Sequence, residues 1–131
     1  MSYAASPGLQ EAVFALLSGA LAGEGVPVLD AAPPAGVDTF VLLGPEEVRD
    51  ASDASGAGAE HRLQVSVIGG ASGFAAAKRI AALVSDTLAG AEPALSRGRV
   101  VGIAFERARA LRRDGGTLRR IDLMFRARVE L

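Results

Sequence analysis

His61-Arg62-Leu63-Gln64-Val65-Ser66-Val67-Ile68 runs into Gly69-Gly70-Ala71-Ser72-Gly73 and then into an alanine-rich segment that stops at Gly90. Leu63, Val65 and Val67 alternate with Arg62, Gln64 and Ser66, the period of a strand with one buried face. From Phe74 the period lengthens. Phe74, Ala77, Ala81, Val84 and Leu88 recur at three- and four-residue steps and form one stripe of a helix. Lys78, Arg79, Ser85 and Asp86 fall on its other side, Ser72 is suited to the N-cap, and Gly90 to the stop. A half-buried strand and an amphipathic helix joined by a short corner pack on each other, so the remaining chain extends or covers that sheet.

Upstream, Ser6-Pro7 opens a first helix, with proline in its favoured first turn. Its apolar face is Leu9, Val13, Leu16, Leu17 and Ala20, widened by Phe14 and Leu21, and Gly23 and Gly25 end it. Val26-Pro27-Val28-Leu29 is a short extended piece whose proline suits a sheet edge or a strand start. Thr39-Phe40-Val41-Leu42-Leu43 is continuously apolar, which fits a strand buried on both faces or at a subunit contact. Gly44-Pro45 breaks it, and Glu46-Glu47-Val48-Arg49 can continue beyond. Residues 50–58 (Asp-Ala-Ser-Asp-Ala-Ser-Gly-Ala-Gly) contain no large apolar side chain, so a mobile loop, or a plain hairpin tip, is expected there.

Downstream, Val101, Ile103 and Phe105 alternate with Gly102, Ala104 and Glu106. Asp114-Gly115-Gly116 is a turn signal. Ile121, Leu123, Phe125, Ala127, Val129 and Leu131 alternate with polar residues and Met124. The two runs read as a long antiparallel hairpin over about residues 97–131. Its far end carries Arg107, Arg109, Arg112, Arg113, Arg119 and Arg120. The order α-β-β-β-α-β-β predicts an α+β fold: one domain, a mostly antiparallel sheet and two helices on one face.

Composition narrows the chemistry. The 131 residues suit one domain, and a chain of this size can bury roughly two-thirds of its unfolded surface. Absence of cysteine removes disulfides and thiolate ligands, and a single histidine leaves no zinc set. No apolar run is long enough to span a membrane, and no basic-then-apolar leader is visible, which sets the cytoplasm as the default compartment. Charge is unevenly placed. Residues 1–60 hold nine carboxylates and one base, Arg49, whereas residues 61–131 hold six carboxylates and thirteen bases. Either folding mixes these charges on one surface, or copies of the chain meet acidic side to basic side.

Several motifs invite chemistry and do not carry it. The strand, glycine corner and helix at 68–74 mimic a dinucleotide fingerprint. Phe74, Ala75 and Ala76 stand where its third glycine belongs, and no strand ending in an acid follows. His61 reads as a lone surface histidine, without a nucleophile or an orienting carboxylate nearby in sequence. The carboxylate pairs Glu46-Glu47 and Asp50/Asp53 read as solvated groups in or beside polar loops. No catalytic, cofactor or metal residue is assigned, and an enzyme is not expected. The arginines of 107–120 could face nucleic acid. Few aromatics and a slightly acidic whole chain favour a protein contact instead.

Taken in series, these features resemble the tail terminator, or tail-completion, family of long-tailed phages and gene transfer agents. The likeness rests on the helix 9–21, Val28-Leu29-Asp30-Ala31-Ala32-Pro33, Phe40-Val41-Leu42-Leu43-Gly44, the polar loop leading to Glu60-His61-Arg62-Leu63-Gln64-Val65-Ser66-Val67, the alanine-rich helix and the arginine-bearing hairpin. Asp38-Thr39-Phe40 departs from it, since members often carry proline and an aromatic before this strand.

The resemblance implies a non-enzymatic assembly protein without cofactor. Such proteins form a six-fold ring at the head-proximal end of the tail tube, stop tube growth and offer a docking surface to the head connector. DNA passes through the lumen without sequence-specific binding, and no membrane is involved. Assembly then takes place in the cytoplasm of the producing bacterium, and the protein ends in the particle's neck or tail. Partners would be further copies of the chain, the tube protein and the stopper or connector. Arg49, Asp50, Asp53, Arg107, Arg109, Arg112, Arg113, Arg119 and Arg120 are the candidate contacts. The alternatives are a head-closure or stopper protein of the same neck and, from another class, a small-ligand regulatory domain.

Overall fold

A computed structural model describes residues 3–54, 56–70 and 73–131. The chain runs α1 (Ser6–Leu21), a short 3-10 turn (Ala22–Glu24), β1 (Val28–Leu29), β2 (Phe40–Asp50), β3 (Gly58–Gly69), α2 (Gly73–Leu88), β4 (Arg99–Arg113), a second 3-10 turn (Asp114–Gly116) and β5 (Leu118–Glu130). The strands form one sheet in the order β1-β2-β3-β5-β4. Only the β1–β2 pair is parallel. This is the α+β architecture expected from the alternating patterns. The N-cap suggested for Ser72 lies outside the described residues.

Both helices cover one face of the sheet. Leu9, Val13, Leu17 and Leu21 from α1 and Ala77, Ile80, Ala81, Val84 and Leu88 from α2 meet Val41, Leu63, Val65, Val67, Leu123, Phe125, Ala127 and Val129. Side chains of directly paired strand residues share a face, so the registers separate a helix face from an open face across the whole sheet. The period-2 reading of β3 and β5 is reproduced in the burial of Leu63, Val65, Val67, Ile121, Leu123, Phe125 and Val129. Leu131, at the chain end, is exposed.

Three local expectations change. Phe14 and Ala20 are exposed rather than core, because the buried stripe of α1 follows Leu9, Val13, Leu17 and Leu21. In α2, Ile80 joins the core while Phe74 is only half-buried at its edge. In β4 the simple alternation fails. Register shifts lie between Val100 and Gly102 and between Phe105 and Arg107. Each bulge inserts a residue and re-aims the side chains around it. Val100 is therefore buried at 1% exposure, while Val101 is 38% exposed.

β2 fits its apolar sequence. Val41 enters the main core, while Phe40 lies opposite Ile68 on the other face, beside Pro33, Val37 and Leu118. A bulge between Leu43 and Glu46 absorbs Gly44 and Pro45, and the strand then continues to Asp50. The glycine corner after β3 has a steric explanation. A Cβ on Gly69 would touch Thr39, and one on Gly70 would collide with the Asp38 carboxylate. Gly69 and Gly70 thus leave room for the side chains of the loop before β2.

Candidate assembly surfaces

The strand registers split the hairpin arginines between two faces. Arg107 is paired with Met124, Arg109 with Asp122 and Arg113 with Leu118, while Arg112 is paired with Arg119. Leu118, Arg120, Asp122 and Met124 alternate with the buried Ile121 and Leu123. Arg107, Arg109, Arg113 and Arg120 therefore lie on the open face, and Arg112 and Arg119 on the helix face. The hairpin end is a basic rim around two surfaces, a division that sequence spacing alone does not reveal.

On the helix face, the Arg112 and Arg119 guanidinium carbons stand 5.3 and 5.5 Å from the Phe74 ring centre, and Lys78 Nζ stands 5.8 Å from it. The negative face of the ring holds like charges together and ties the hairpin end to the start of α2. Arg119 also donates to the Gly116 carbonyl. On the open face, Arg120 Nε donates to Asp122 Oδ1 at 2.7 Å, which also accepts from Ser66 Oγ at 2.6 Å. Arg120 Nη2 and Gln64 Nε2 each donate to Ser66 Oγ at 3.2 Å. This network accounts for a fully buried serine on a sheet face that no helix covers. Arg107, Arg109 and Arg113 have no hydrogen bond or ion pair among the described residues, so they keep their full donor capacity for a partner.

Arg49 and Asp50 close the free end of β2, opposite Glu60 and Ala59. Ser52 Oγ donates to Asp50 Oδ1 at 2.7 Å. That bond holds the Asp50 carboxyl below the usual carboxylate range. Asp53 bridges to Gly56, and its carboxylate lies 3.6 Å from Arg128 Nη2. Arg128 Nη1 also donates to the Ala51 carbonyl at 2.6 Å. The described part of loop 51–57 is thus a hairpin tip tethered to β5.

Two readings are corrected at the opposite end of α1. His61 is fully buried, not a surface residue. Its Nδ1 lies 2.9 Å from Glu46 Oε2. Glu46, in turn, is not a solvated loop carboxylate. Its Oε1 accepts from Ser6 Oγ at 2.6 Å and from the Tyr3 hydroxyl at 3.3 Å. The cause is register. Val48 pairs with His61 and Glu46 with Leu63, so both His61 and Glu46 point to the helix face, under the start of α1. The missed signal was Glu46 itself. After the bulge it follows β3's pattern rather than that of the loop it was assigned to. The cluster contains no nucleophile positioned by the histidine, and it joins the N-terminal segment to the sheet.

The crevice lined by Leu9, Val13, Leu43, Leu63 and Val65 is about 40 Å³, and a wider surface depression lined by Glu24, Asp38, Thr39 and Arg79 reaches about 550 Å³. Among the described residues no group of three or more acidic, histidine or cysteine side chains is placed to hold a metal. No helix among them is long and apolar enough to cross a membrane.

Comparison with known proteins agrees with these features. A chain in the solved structure titled "Virion of native gene transfer agent (GTA) particle" is 53% identical, with a TM-score of 0.91, over 99% of this chain and 100% of that one. Among curated proteins, none matches. Residues 11–130 match the family described as tail completion protein gp17. That match takes in most of α1, the whole sheet and α2, and the chain belongs to the tail completion protein gp17 family.

Proposed function

We propose that this chain forms a ring, six-fold as in the resemblance, at the head-proximal end of a phage-like tail tube. There it stops tube polymerisation and presents the surface to which the head connector docks. The observation that carries this reading is the family match over residues 11–130, together with 53% identity to a chain of a gene transfer agent virion. Packaged DNA then passes through the ring lumen without sequence reading. The work is structural, with no catalytic step and no cofactor, and assembly takes place in the cytoplasm before the protein becomes part of the particle.

The surface features support it. A ring is built from heterologous contacts, which need two different patches on each subunit. The acidic half of β2 and the unpaired arginines Arg107, Arg109 and Arg113 are such patches. The tip of the β2–β3 hairpin and the end of the β4–β5 hairpin are the segments available to the tube and the connector.

Electron micrographs of particles from producer cells lacking the gene test the reading. Unjoined heads with tubes that are over-long or irregular at one end support it. Tails of normal length beside heads that leak DNA would transfer the protein to the stopper role. Normal particles would overturn both.

A further inference from the structure

We propose that the free edge of β4 pairs with residues 46–50 of β2 from a second copy of this chain, so that the sheet continues from subunit to subunit. The inference rests on the self-assembly reading above and assigns the surfaces that would perform it.

Two sheet edges carry it. β4 spans 15 residues with β5 on one side; on the other, Gly90 N–H donates to the Ile103 carbonyl and Ala94 bridges to Arg99, and among the described residues no backbone hydrogen bond reaches that side beyond Ile103. At the other end of the sheet, β1 pairs with just Val41 and Leu42 of β2. Among the described residues no backbone hydrogen bond reaches residues 43–50 from that side. Unpaired strand edges are templates for another strand. With Glu47 opposite Arg107, antiparallel pairing sets residues 46–50 against residues 104–108, a stretch that includes the bulge between Phe105 and Arg107.

Strand direction agrees. β4 runs antiparallel to β5, β5 to β3 and β3 to β2, so β4 runs opposite to β2. A neighbouring copy in the same orientation lays its β2 antiparallel to β4, with the helices of both copies on one side. Such a contact is heterologous, and it closes into a ring when the rotation per subunit allows.

Charge and apolar surface agree as well. Glu47 pairs with Arg62 in register, and it and Arg107 both lie on the open face. Through the registers Glu47 is level with Ala104 and Arg107 lies two rungs further along, so a stagger of about two residues, roughly 7 Å, sets them opposite each other. Closed sheets require stagger of this kind. On the same edge Phe105 is 46% exposed, its ring resting edge-on against Phe125. It is an aromatic anchor of the type enriched at interfaces.

The absence of cysteine makes a clean test possible. Glu47→Cys is combined in turn with Ala104→Cys, Arg107→Cys and Arg109→Cys, and particles are oxidised and run on denaturing gels. One register should give a covalent ladder that no single-cysteine variant gives. In parallel, E47R and R107E alone should each lower particle yield at least tenfold, and the two together in one chain should recover it. Absent ladders with no recovery in the double variant would overturn the edge pairing. If the deletion strain shows defective tail ends while no ladder forms, the pairing fails alone. A ladder beside normal tails in that strain would sink the tail-end reading and leave self-pairing standing.

Discussion

His61 Nδ1 lies 2.9 Å from Glu46 Oε2, with the imidazole fully buried and the carboxylate side chain 20% exposed. The same carboxylate accepts from Ser6 and Tyr3, so one acid links β3, the start of α1 and the N-terminal segment. His61 Nε2 has no partner among the described residues. The cluster is therefore sensitive to the loss of its one good acceptor. Glu46→Ala should cost about 1–3 kcal/mol, the scale of a buried polar group left unsatisfied. Urea unfolding would show it as a lower midpoint at unchanged slope. A variant as stable as the parent would mean that solvent already satisfies His61.

The same carboxylate gives stability a pH dependence of known sign. Burial alone would raise its pKa. Hydrogen bonds from His61 and Ser6, the His61 charge and the Tyr3 hydroxyl outweigh burial and hold the carboxyl below its ordinary 4.5. The folded state thus favours the ionised form. Its contribution is complete above the unfolded value and is lost as pH falls through the lower folded value. Glu46→Gln removes that dependence. The stability gap between parent and Glu46→Gln should shrink between pH 6 and pH 3, measured by thermal melts across the range. A gap that widens on acidification would contradict the assignment.

Arg112 and Arg119 face each other across strands, and both lie over the Phe74 ring. Like charges so placed repel, and each cation over the ring recovers about 0.5–1 kcal/mol. Phe74→Leu keeps apolar bulk and removes the ring face. It should lower stability by roughly 1 kcal/mol and speed amide exchange around residues 111–119, leaving the rest of the sheet protected. Uniform exchange through both strands would show that the hairpin end is held by something else.

Gly98 stands at φ +87°, and a Cβ there would lie 3.0 Å from the Glu130 carbonyl oxygen and 3.0 Å from Leu131 Cδ2. The first contact is with backbone, which cannot swing aside. Gly98→Ala should therefore lose more than the ~1–2 kcal/mol of a left-handed L-residue, seen as a melting temperature lower by several degrees. Gly23→Ala, in open space without a positive φ, is the control and should be near neutral.

What the sequence shows and what it hides divide along a physical line. β3, β5 and α2 could be read directly because each buries one face along its whole length, so burial imprints a regular period. The hairpin end, the charge imbalance and the polar tip were equally visible. The placement of His61, Glu46, Arg112 and Arg119 was not. Their environment depends on which strand lies opposite, and register is set by bulges and turns far from these residues. Glu46 looked like a loop acid because Gly44-Pro45 interrupts the apolar run, yet the bulge restores the strand beyond it. The arginines looked like one patch because sequence proximity ignores the two faces of a sheet.

Val100 and Val101 make that difference measurable. Simple alternation through Ile103 and Phe105 would bury Val101. The bulge between Val100 and Gly102 instead turns Val100 inward, opposite Val129, at 1% exposure, and Val101 outward at 38%. Val100→Ala should cost about 1–2 kcal/mol through lost burial and a partly unfilled space. Val101→Ala should stay within ~0.5 kcal/mol in the free subunit. Denaturant unfolding of both variants decides the bulge. If Val101→Ala proves the costlier of the two, β4 is regular at its start, and the exposed edge inferred from it would have to be redrawn.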